Sequence, residues 1–182
     1  MITGKNMVSR LPGKLFACVG GAVTLLVLAG PAGAAPITVA NPSFEDPVLA
    51  DDATSTAVAD WTWARFASVV KNPLDAQYTG ATGGPLPSPA GGNQSIAINN
   101  TAFSYVKQTT DAIIEAGVTY TLTVAVGDRL DATPHDSFLL RLGYGTDTYL
   151  TKIVDNQPDG SNLVDGAFKD FSVSFTAEAG QA

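Results

Sequence analysis

Beyond residue 34 the chain has no cysteine, because its single example, Cys18, lies near the N-terminus. That absence excludes a disulfide, a thiol nucleophile and a cysteine-type zinc site from the rest of the molecule, so another device must stiffen it. Histidine is almost as scarce. His135, in "DATPHDSF", has no GxSxG elbow to serve and no companions for zinc, and it reads as a solvated loop residue. Basic charge is short too, with Lys+Arg 10 against Asp+Glu 17 and a formal net charge of −7. Amphipathic helical periodicity is nearly absent, and the one apolar run, "LFACVGGAVTLLVLAG", falls short of the roughly 18 to 20 strongly apolar residues of a membrane span.

That run has a different reading. Lys5, Arg10 and Lys14 precede it and the small residues Ala32–Ala34 follow it, which predicts a signal peptide over residues 1–34 with cleavage after Ala34. Cys18 precedes the apolar segment instead of following it, so lipidation there is not expected. Removal of the leader takes three basic residues and no acidic ones, and the net charge falls from −7 to −10. Nucleic acid and anionic membrane surfaces are then excluded as partners, unless an anchor beyond Ala182 supplies a membrane attachment. The expected location is secreted, periplasmic or at the cell surface, and residues 35–182 suffice for one domain with a core.

Strand signals fill that domain. "VTYTLTVAV" alternates, with Val118, Tyr120, Leu122, Val124 and Val126 on one face. "SFLLRLGY" places Phe138, Leu140, Leu142 and Tyr144 together, and "FSVSF" does the same with Phe171, Val173 and Phe175. "QSIAIN" and "FSYVKQ" are weaker strands, and "GYGTDTY" predicts a hairpin connection through Gly145 and Asp147. Between Tyr78 and Gln94 five glycines and three prolines predict a long surface loop. Many short strands separated by turn residues predict an all-β antiparallel sandwich of the jelly-roll kind. The chain stops just past a strong strand, so the sandwich is expected to lack its last strand or strands.

Few residues suggest chemistry. "DNQPDGSNLVDG" matches a calcium loop only at Asp155, Asp159 and Gly160, with Gly166 where the bidentate glutamate belongs, and reads as a polar turn. Asp128, Asp131 and Asp136 cluster near Arg129 after the central strand, where loop solubility explains them as well as a cation or acid role. Trp61 and Trp63 in "DWTWARF" share strand parity, so both face one side, either as a platform for a glycan or small molecule or as core. Asn93 and Asn99 begin glycosylation sequons.

The stretch "VANPSFEDPVLAD", the tryptophan-bearing strand, the Gly/Pro loop, "AGVTYTLTVAVGDR" and "GAFKDFSVSFTA" together resemble the calcium-dependent Stig cyclases, the hapalindole and fischerindole cyclases of cyanobacteria, from Ile37 to Ala177. The chain is also similar to exported, anchor-type bacterial surface domains and to galactose-binding and carbohydrate-binding modules with an "N-x-x-F-E" opening. The resemblance implies a structural calcium near the start of the domain, with Asn41 and Glu45 at the matching positions, completed by nearby carbonyls. It also implies a catalytic aspartate toward the C-terminal end, which this chain does not reach, so no residue here takes a catalytic role. The reading that follows is a calcium-stabilised binding or cell-surface module. The alternatives are a terpenoid-alkaloid cyclase without its catalytic end and a carbohydrate-binding accessory module using Trp61 and Trp63.

Overall fold

A computed structural model describes residues 36–63, 70–87, 90–98, 105–131, 138–145 and 163–180, with the backbone of 15–18, 23–24, 64, 68–69 and 148–154. In chain order the strands are β1 (Leu15–Cys18), β2 (Val23–Thr24), β3 (Thr54–Ser55), β4 (Thr62–Ala64), β5 (Ser68–Lys71) and β6 (Ser95–Ile98). They continue with β7 (Tyr105–Thr109), β8 (Thr119–Gly127), β9 (Leu139–Tyr144), β10 (Thr148–Val154) and β11 (Phe168–Thr176). Among the described residues there is no helix, and the fold is all-β.

Pairing between these strands is antiparallel throughout, in three sheets ordered β10-β9-β1-β7-β4, β11-β8-β2 and β3-β5-β6. One core joins them. It takes Tyr120, Leu122, Val124 and Val173 from the second sheet, Val106, Leu140 and Leu142 from the first, and Val70 and Ile96 from the third. Sheets facing a shared core in this way are consistent with a β-sandwich.

The period-two alternation explains which residues enter it. In β8, Tyr120, Leu122 and Val124 are buried while Thr119, Thr121 and Thr123 face outward. Those threonines meet Thr176, Ser174 and Ser172 of β11 in hydroxyl pairs 2.7–2.8 Å apart, a ladder of cross-strand contacts that pins the register. β9 and β10 pair on either side of Gly145, whose φ of +71° suits a residue without a Cβ.

The Gly/Pro-rich segment is less superficial than expected. Tyr78, Ala81 and Leu86 are buried and form a second small core with Ala125 and Phe168, on the face of β8 opposite the main core. Tyr78 and Phe168 lie with ring centroids 4.6 Å apart. Turn-rich backbone forbids regular structure here, but three apolar side chains still gain by leaving water, so the loop folds down as a cover. His135, Asp136, Asp147, Asn99 and the "DNQPDG" turn lie outside the described residues.

Leu15–Cys18, within the apolar run expected to be an export signal, pairs with both β7 and β9. A short run of apolar residues satisfies the hydropathy of an export signal and the backbone pairing of an inner strand equally well.

Candidate functional site

The leading turn is built around Asn41 and Phe44, both in the left-handed region, with φ of 44° and 60°. Asparagine tolerates that conformation because its side chain bonds locally. Here Asn41 Nδ2 donates to the carbonyls of Asp46 (2.9 Å) and Ala59 (3.3 Å), and Asn41 Oδ1 accepts from Asp46 N (3.1 Å). A phenylalanine at positive φ carries strain of order 1–3 kcal/mol. Phe44 holds it because its ring is wholly buried, packed 5.1 Å from the Trp61 ring, while Trp61 Nε1 donates to the Asn41 carbonyl at 3.0 Å.

With Phe44 turned inward, Glu45 turns toward the Gly/Pro loop. Its Oε1 accepts the backbone amides of Asn93 (2.7 Å) and Gln94 (2.9 Å). Gly92 makes this approach possible: at φ +73°, a Cβ on it would stand 2.5 Å from Glu45 Oε1. Gln94, fully buried, completes the clasp. Its Nε2 donates to the carbonyls of Phe44 and Pro47, the latter at 3.0 Å, and its Oε1 accepts from Leu49 N.

Gln108 does the same one turn earlier. It accepts Ala40 N and donates to Ala40 O, both at 2.9 Å, and donates to Asp60 O at 3.0 Å. Sequence reading missed both glutamines as site residues. Their signal was a polar residue beside or within an apolar strand, at a position of inward parity in "QSIAIN" and "FSYVKQ".

Whether calcium fits is a matter of acceptor capacity. A carboxylate offers about four lone-pair sites and an amide oxygen two. Glu45 has two in use and Asn41 Oδ1 one, so both keep capacity for a hard cation. Among the described residues no group of three or more His, Cys, Asp or Glu side chains converges, so a calcium shell here would draw mainly on carbonyls and water.

The two tryptophans stand differently from each other. Trp61 is 6% exposed and committed to the core, whereas Trp63 is half-buried at its edge. A groove of about 600 Å³, lined by neither tryptophan, runs along Ile37, Ala40, Asp60, Asp111, Glu115 and Tyr120.

The acidic cluster after β8 divides as well. Arg129 holds Asp131 through two contacts of 2.8 and 2.7 Å, and Gln77 Nε2 donates to the same carboxylate at 3.2 Å. The Arg129 guanidinium keeps the Asp131 carboxyl below the usual carboxylate range. Asp128 is buried and accepts Arg129 N at 2.9 Å. Nearby, burial pushes the Tyr78 hydroxyl up to about 12.

The HpiC1-like family model, described as HpiC1 cyclase, matches residues 35–182. No match was found among curated proteins or among solved structures. A match that covers the whole region from Ala35 onward, on an all-β chain with antiparallel sheets, places this protein in the HpiC1-like family of Stig cyclase-like domains.

Proposed function

We propose that the protein is an exported, calcium-stabilised jelly-roll module of the Stig cyclase-like superfamily that works as a binding or cell-surface domain. The observation that carries this reading is the Glu45 carboxylate, which stands where the leading turn meets the Gly92–Gln94 loop and retains acceptor capacity. Asn41 orders the turn and offers a second oxygen. A divalent ion between these segments would fasten the first part of the domain to its middle, the task that disulfides perform in other exported domains. The test is the melting temperature of the full chain in chelator and in millimolar calcium. Calcium should raise it, and Glu45→Gln should reduce the rise; equal melting in the two buffers overturns the reading.

A second reading, small-molecule binding or acid-catalysed cyclisation, is favoured by the groove of about 600 Å³, which falls within the size range of small-molecule sites and sets Asp60, Asp111 and Glu115 beside Ile37 and Tyr120. Ala112 lines the same groove. A ligand that binds there should lose affinity in Ala112→Trp, and binding unaffected by that change removes the groove from consideration. Glycan stacking, if it occurs, falls to Trp63, and binding that survives Trp63→Ala excludes it.

A further inference from the structure

The groove of about 600 Å³ combines two kinds of lining. One is apolar, from Ile37 and Ala40 of the leading segment, Ala112 and Ile113 after β7, and Tyr120 of β8. The other carries charge of a single sign. Asp60, Asp111 and Glu115 line the groove, and among the described residues no lysine, arginine or histidine does.

Hydrogen bonds fix the backbone that carries these groups. Gln108, itself part of the lining and 6% exposed, bonds both backbone groups of Ala40 at 2.9 Å and donates to Asp60 O at 3.0 Å, which ties the leading segment and Asp60 to β7. The Tyr120 hydroxyl accepts Glu115 N at 2.8 Å, which ties the segment after β7 to β8. Asp60 stands in the left-handed region, at φ +66°. Asparagine and aspartate commonly hold that conformation through a local bond from the side chain, as Asn41 does. Asp60 is held by its carbonyl instead, and among the described residues neither its carboxylate nor that of Glu115 takes a hydrogen bond or an ion pair. Two unneutralised carboxylates therefore stand on a braced backbone beside apolar surface. Backbone conformations of this cost concentrate where a site presents a group to a ligand.

The lining selects by exclusion. An anion would meet three negative charges, and a bare inorganic cation would leave the apolar lining in water. On the reading of the groove as a small-molecule site, we propose that it takes an organic cation, a primary ammonium carried on an apolar alkyl or aryl body. The charge is drawn to the carboxylates of Asp60 and Glu115, and the body covers Ile37, Ala112 and Tyr120. Each solvent-facing ion pair contributes up to roughly fivefold in affinity, and apolar contact supplies the remainder.

The test is calorimetric titration of the full chain, in low salt, with phenylbutylammonium, its uncharged analogue phenylbutanol, and methylammonium. Phenylbutylammonium should bind at least about tenfold more tightly than either of the others, and added salt should weaken it. Asp60→Asn and Glu115→Gln should each weaken it by roughly two- to fivefold without changing Tm, because asparagine tolerates the same left-handed backbone and both side chains are exposed. Ala112→Trp should remove it. Failure of phenylbutylammonium to bind at millimolar concentration overturns the proposal. Equal affinity for the ammonium and the alcohol, both lost in Ala112→Trp, overturns the cation assignment and keeps the groove as a small-molecule site. The same holds if ammonium binding survives the combined Asp60→Asn and Glu115→Gln change. Binding of both probes that persists in Ala112→Trp overturns the groove reading as well.

Discussion

Replacing Gln94 with alanine should be among the most damaging single changes in the domain, although Gln94 does not line the groove of about 600 Å³ and carries no charge. Its side chain is 0% exposed and satisfies three backbone groups, the carbonyls of Phe44 and Pro47 and the amide of Leu49. A buried polar group that loses its partner costs about 1–3 kcal/mol. Relaxation and entering water recover part of that sum, and the lost side-chain volume adds a cavity cost. A net loss of about 3 kcal/mol is expected, which for a domain of this size lowers Tm by roughly 6–12 °C. Urea unfolding of the full chain with an unchanged m-value is the assay. A loss below about 1 kcal/mol, outside what orphaning three buried groups permits, would refute the claim that this amide clasps the leading turn. The Gln94 side chain holds the carbonyls of Phe44 and Pro47 on either side of Glu45, so Gln94→Ala and Glu45→Gln should couple in a double-mutant cycle.

Two other outcomes follow from the same geometry. Gly92→Ala should cost about 1–2 kcal/mol from its positive φ alone, and more from the 2.5 Å approach to Glu45 Oε1; unfolding curves that match the parent would show that the loop does not rest against the carboxylate. Tyr78, with its hydroxyl pushed up to about 12 by burial, contributes stability that is complete below about pH 10 and is lost as pH rises toward 12, by up to about 3 kcal/mol. Unfolding measured between pH 9 and 12 should therefore steepen in the parent relative to Tyr78→Phe, and identical profiles would contradict the burial of that hydroxyl.

Much of the architecture was legible because alternation is a local signal. Val118–Val126, Phe138–Tyr144 and Phe171–Phe175 each show their inward face at every second residue, and each lies in or beside an observed strand with that face toward the core. Trp61 and Trp63 do share a side, and that side is the core. The cover formed by Tyr78, Ala81 and Leu86 was not legible, because irregular backbone imposes no period on its apolar residues. Gln94 and Gln108 escaped notice for another reason. A buried amide is recognised by the orphan groups it satisfies, and those lie on segments about 45 to 68 residues away in the chain. The pairing of Leu15–Cys18 was not legible either, because an apolar run of that length fits an export signal and a strand equally well.

The most direct test of the account is calorimetric titration of the full chain with calcium after chelator treatment. One ion per chain should bind to the parent, with affinity weakened at least about tenfold in Glu45→Gln, a loss of about 1.4 kcal/mol. Absence of binding to the parent, or identical isotherms for the two proteins, would contradict calcium held at Glu45.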